Sequence, residues 1–175
     1  MLSQNLKKPL SEKKKIIRSY SIGEMYCGPG GIGLAAKSSK VYDKNIKLNY
    51  KHLWATDFHK DSCDTFKKNI AKNNKNFQII CDDIKNINIE DLPKVDGFCF
   101  GFPCNDFSNV GESKGLDGTY GSLYTYGIKY IERHNPKFIF AENVSGISSS
   151  NSGHAFRKII DNIEDAGRYG YKLTT

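Results

Sequence analysis

Short apolar runs alternate with amphipathic stretches from Tyr20 to the end of the chain, and that alternation predicts the architecture. Residues 21–27 read as a strand despite the internal Gly23, residues 28–31 as a turn, and Ile32 to about Lys40 as a helix. Residues 52–56 predict a second strand. Residues 60–72 place Cys63, Phe66, Ile70 and Ala71 at helical spacing, and residues 77–81 predict a third strand. Residues 95–102 form a nearly continuous apolar run, the pattern of a strand buried on both faces. A polar stretch rich in Gly, Ser and Asn follows at 103–120, a loop of a length usually tied to function or disorder. A helix over 121–134 ends before Pro136. A fifth strand over 137–141, a polar segment, a helix over 154–166 and a sixth strand over 169–175 complete the pattern. Strands alternating with helices imply an α/β fold with a doubly wound, mostly parallel sheet.

Composition narrows the class. At 175 residues with 38% hydrophobic and 26% charged positions, the chain is long enough for one domain with a real core. No apolar run approaches membrane-spanning length, and the Lys-rich start lacks the apolar stretch of a secretory signal. The net charge is +7, but residues 7–18 set six cations against the single acid Glu12 and so supply five of those charges. Residues 1–18 therefore read as a basic flexible arm, suited to phosphates or simply to solubility, ahead of a folded domain over 19–175. The five cysteines, at 27, 63, 81, 99 and 104, include no C-x-x-C pair. That argues against a zinc site or a disulfide framework and fits a reducing, cytoplasmic setting.

Five segments carry candidate chemistry. Gly28, Gly30 and Gly33 fit G-x-G-x-x-G between a predicted strand and helix. Such glycines let backbone approach a dinucleotide or nucleoside cofactor, or simply make a tight turn. Asp57, after the second strand, is placed to accept hydrogen bonds from ribose hydroxyls. Phe58 beside it can stack on a purine, and Asp83, after the third strand, can meet an adenine amino group. The run 101–108 presents Cys104 after Pro103 at the mouth of the polar loop, where a reactive thiolate is useful. Read alone, it is equally a strand end followed by a turn. Glu142 stands where the fifth strand ends, the edge at which α/β enzymes place their chemistry. A dehydrogenase using a nicotinamide cofactor would explain the glycines with Asp57 but gives Cys104 and Glu142 no role. A domain that binds cofactor or DNA without chemistry would leave both residues idle.

The glycine-rich turn, then Pro103-Cys104 with Phe107-Ser108, then Glu142-Asn143-Val144, resembles the cytosine-5 DNA methyltransferases in order and spacing over residues 20–175. The resemblance implies a Rossmann-like, S-adenosylmethionine-dependent methyltransferase fold, incomplete at its C-terminal end. It implies S-adenosylmethionine at Tyr26, Gly28, Gly30 and Gly31, with Asp57 on the ribose, Phe58 on the adenine, and Asp83 and Ile84 as the adenine-binding pair. Phe102 and Pro103 would shape the floor and Leu123 would cover the methionine end. Cys104 would be the nucleophile and Glu142 the group that steadies the cytosine ring. Asn143 would orient the Pro-Cys loop, and Asn105, Ser108 and Val144 would belong to the substrate loops. The implied partner is duplex DNA with a flipped cytosine, within a restriction-modification setting in the cytoplasm, nucleoid-associated in a bacterium. The sequence departs from the family at Asn105, where Gln is usual. The family's later Arg-containing segment and target-recognition region do not lie within these residues. The resemblance therefore implies a catalytic core that is inactive alone and completed by a C-terminal region or a second chain. A tRNA cytosine-5 methyltransferase of the same architecture is the alternative.

Overall fold

The computed structural model describes residues 16–39, 41–43, 46–72, 74–103, 123–148 and 153–175. Six strands form one sheet: β1 (Ile16–Met25), β2 (Val41–Asp43), β3 (Ile46–Asp57), β4 (Gln78–Cys81), β5 (Gly97–Gly101) and β6 (Phe138–Glu142). Helices α1 (Gly31–Ser38), α2 (Lys60–Asn69) and α3 (Tyr124–His134) lie between strands, and α4 (His154–Asp165) follows β6. The order is β2-β3-β1-β5-β6, with β4 also paired to β3. Every pairing is parallel except that of β2 with β3. The chain thus winds outward in one direction through β1, β3 and β4, then returns to lay β5 and β6 on the other side of β1. The reversal lies between β1 and β5. Ligands of open α/β sheets bind beyond the carboxyl ends of the strands at such a point.

One face of the sheet packs on α3 and α4 around Trp54, Phe98, Phe100 and Tyr130, all fully buried. Trp54 Nε1 and the Tyr130 hydroxyl both donate to the carbonyl of Pro93 at 2.8 Å, so these large amphipathic rings are buried with their polar ends satisfied. The glycine inside β1 has a packing reason. A β-carbon at Gly23 would stand 2.2 Å from the indole of Trp54, and the β1/β3 register shifts between Ile22 and Gly23. The other face carries α1 and α2, with Phe66 and Ile70 packed on Ala55 and Cys27.

Two expectations are corrected. Residues 169–175 form no strand. Gly167 and Gly170 take left-handed φ values of 75° and 68° and turn the chain, and Tyr171 is then fixed by its N–H to Glu164 O at 2.8 Å and its hydroxyl to Pro136 O at 2.6 Å. Residues 172–175 lie along the same groove as β6 without a ladder. At the other end, Ile16, Ile17 and Arg18, expected in the basic arm, already belong to β1, where they pair with Ile46, Lys47 and Leu48. Residues 1–15 lie outside the described residues, as does the predicted loop from 104 onward.

Candidate active site

The carboxyl ends of β1, β3, β4 and β5 gather beside the reversal. After β1 the chain makes its glycine turn: Tyr26, Gly28 and Gly30 all have positive φ, at 59°, 51° and 104°. Glycine takes this region freely, whereas a tyrosine is held there at a cost of about 1 kcal/mol or more. The Tyr26 hydroxyl donates to Leu123 O at 2.8 Å, tying the strained residue to the start of α3. Burial raises the Tyr26 hydroxyl above its ordinary pKa, so it remains a neutral donor.

Asp57 closes the turn from the side. Its Oδ2 accepts from the Gly28 N–H at 2.8 Å and its Oδ1 from the His59 N–H at 2.9 Å. A carboxylate has about four acceptor positions, so each oxygen keeps one for a ligand. A cleft of about 190 Å³ opens beside it, lined by Tyr26, Thr56, Asp57, Phe58, Asp82, Asp83, Ile84, Lys85, Pro103 and Leu123. Phe58 is 70% exposed, an aromatic face available to a flat partner. Asp83 caps the short turn over Ile84–Asn86 by accepting from the Lys85 N–H at 3.0 Å. Three carboxylates against one lysine suit a ligand rich in donors or positive charge and disfavour a pyrophosphate. Among the described residues no group of three or more His, Cys, Asp or Glu side chains could hold a metal ion.

The chemical candidates stand across β1. In the β5/β6 ladder Gly101 is opposite Glu142. A β-carbon at Gly101 would lie 3.1 Å from Glu142 Oε2, so the carboxyl group rests over that backbone. Asn143 Nδ2 donates to Phe102 O at 2.8 Å, clasping the residue two before Cys104. The segment that leads into Cys104 therefore runs alongside Glu142 and Asn143. Cys104, Asn105 and Ser108 lie outside the described residues. Glu142 and Val144 are exposed.

Most of the expected cofactor residues converge: Tyr26, Asp57, Phe58, Asp83, Ile84, Pro103 and Leu123 line one cleft. Gly28 reaches it only through Asp57, and Gly30 and Gly31 are not in its wall. Phe102 is 5% exposed, packs on Phe100 and Tyr124, and borders a different groove beside Glu142. Thr56, Asp82 and Lys85 also line the cleft and were not expected. Their signal was adjacency to the strand ends that carry Asp57 and Asp83.

Known proteins resemble this chain in sequence and in fold. The family model for C-5 cytosine-specific DNA methylase matches residues 20–175. Type II methyltransferase M.BbvI of Brevibacillus brevis is 43% identical over 157 residues, covering 86% of this chain and 42% of that protein. M.NgoFVII of Neisseria gonorrhoeae is 31% identical over 166 residues, covering 94% of this chain and 41% of that one. The chain spans about two fifths of the length of these curated relatives. Among solved structures, the S. pombe Dnmt2 methyltransferase superposes with a TM-score of 0.54 at 19% identity, over 82% of this chain and 42% of that one, a likeness of fold. Family membership implies S-adenosylmethionine as cofactor, and the anionic cleft with its free carboxylate positions and exposed aromatic ring fits such a molecule. The chain belongs to the C-5 cytosine-specific DNA methylase family.

Proposed function

We propose that this chain supplies the cofactor cleft and the catalytic pair of an enzyme that methylates carbon 5 of cytosine in DNA. The observation that carries the reading is the clasp between Asn143 and Phe102 O beside the Gly101–Glu142 register, which sets the residues that lead into Cys104 beside Glu142. S-adenosylmethionine, when bound, supplies an electrophilic methyl group. Asp57 would hold the ribose, Phe58 and Ile84 would hold the adenine with Asp83, and Tyr26 and Leu123 would border the methionine end.

Carbon 5 of cytosine is a poor nucleophile. Addition of the Cys104 thiolate to carbon 6 pushes electron density toward carbon 5. Glu142 in its protonated form hydrogen-bonds ring nitrogen 3 and steadies the charge that develops there. After methyl transfer, the carbon 5 proton passes to solvent water as the thiolate is expelled from carbon 6, which restores Cys104. A cytosine inside a duplex cannot reach this edge of the sheet, so the base must be flipped out.

The reading also needs more protein than these residues. Phe140 on β6 is 52% exposed and Val144 39%, and beside them runs an open groove of about 480 Å³. We infer that a C-terminal region or a second chain bearing target recognition covers this edge. The test is transfer of labelled methyl groups to DNA by the complete protein, compared with tRNA as acceptor. Transfer to cytosine carbon 5 of DNA that disappears in Cys104→Ser supports the reading, and transfer only to tRNA rejects it.

A further inference from the structure

Glu24 on β1 and His52 on β3 are a buried polar pair that the proposed chemistry does not use. They are 1% and 6% exposed, and Glu24 Oε2 lies 3.4 Å from His52 Nε2. Neither of these two atoms has a partner of full hydrogen-bond geometry. Groups so deeply buried are costly to leave unpaired, and their retention calls for a reason.

The start of α1 lies directly on the carboxyl group. A β-carbon at Gly33 would stand 3.2 Å from Glu24 Oε2 and 2.9 Å from Phe66 Cζ. The first N–H groups of a helix lack intrahelical partners, and the N-cap here, Gly30, provides no side-chain cap. Burial raises the Glu24 pKa, and His52 first, then the Gly33 N–H, act against it by favouring the charged form. Burial also pushes up the neighbouring thiols of Cys27 and Cys99, the latter to about 12, so both stay neutral. His52 is itself held: its ring meets Phe66 edge-on at 5.9 Å, and its carbonyl accepts from Asn74 Nδ2 at 2.7 Å. A fixed imidazole thus faces a carboxyl group, and the carboxyl group faces the uncapped end of the helix that the glycine turn opens.

We propose that His52 is a positioning residue: it fixes the Glu24 carboxyl group beneath the Gly33 N–H, and Glu24 in turn sets the start of α1 and the glycine turn of the cofactor cleft. The inference rests on the cofactor reading for its consequence, but not for its first measurement. That measurement is amide hydrogen exchange of Gly33 in the ligand-free chain, with Phe98 and Phe100 as core references. The second is affinity for S-adenosylhomocysteine by calorimetry.

In Glu24→Gln the amide still offers Gly33 an acceptor, so protection and affinity should stay near wild type. In His52→Leu both should fall about tenfold, the scale of one buried polar contact. That variant leaves a buried carboxyl group without its partner and risks unfolding. The double variant Glu24→Leu with His52→Leu removes that risk, because an apolar pair replaces a buried polar pair at little cost in stability. It should keep Phe98 and Phe100 protected while Gly33 exchanges fast and affinity remains low. Wild-type protection at Gly33 in the double variant overturns the proposal and leaves the pair a packing feature. If the wild-type chain binds no S-adenosylhomocysteine, the cofactor reading fails, and Gly33 exchange still decides the role of His52.

Discussion

Asp57 carries two duties at once, and this makes it informative at the scale of single residues. It holds the glycine turn through Gly28 and the start of the next segment through His59, and it faces the cleft. Asp57→Ala should lower S-adenosylhomocysteine affinity by at least about tenfold, as expected for loss of hydrogen bonds to a charged group; unchanged affinity in calorimetry would exclude it from the cofactor site. Asn143→Ala removes one buried-side clasp on Phe102 O, worth about 1 kcal/mol of stability in a denaturant titration, but should cut methyl transfer more than that loss explains. These two residues were legible in the sequence for different reasons. Asp57 could be read from its place after a strand and downstream of glycines. Asn143 was legible only through family resemblance, because nothing in its own neighbourhood says that its amide reaches back 41 residues. Tyr26 shows the limit: its left-handed backbone and its bond to Leu123 O arise from tertiary contacts that no local pattern encodes.

The strands are held in order at their far ends by Asp96, just before β5. Its Oδ2 accepts from the Ser21 N–H at 2.9 Å and the Ser21 hydroxyl at 2.8 Å, and Lys137 Nζ lies 2.7 Å from Oδ1. One carboxylate thereby links β1, β5 and β6. Lys137 first, then the Ser21 donors, hold the Asp96 carboxyl down at about 2. A carboxylate with a lowered folded-state pKa stabilises above its unfolded value, near 3.9, and loses that contribution as pH falls toward about 2. Thermal melts across this acid range should show a loss in wild type that is reduced in Asp96→Asn; identical acid profiles would contradict this role. Element positions on this side of the sheet were largely legible, because buried parallel strands write themselves as apolar runs. The hairpin of β2 with β3 was not, since Lys, Asn and Tyr dominate residues 40–51 and obscure any alternation. The failed strand at 169–175 has the opposite cause. Its composition permits a strand, but two left-handed glycines and the anchoring of Tyr171 decide otherwise.

For the whole molecule, a cofactor cleft and a carboxylate lie on either side of the reversal in one sheet, and among the described residues no further strand pairs with β6, whose Phe140 is exposed. An exposed apolar edge strand invites another segment to cover it. The isolated chain should bind S-adenosylhomocysteine yet transfer no methyl group to DNA; turnover by residues 1–175 alone would show that the edge needs no further partner. The most direct test of the account is covalent trapping. Duplex DNA carrying 5-fluorocytosine has no carbon 5 proton to release, so attack by Cys104 in the complete protein with S-adenosylmethionine should leave a stable adduct. Mass spectrometry should find that adduct on the peptide containing Cys104, and Cys104→Ser should abolish it. An adduct on another residue, or methylation that survives the substitution, would contradict the account.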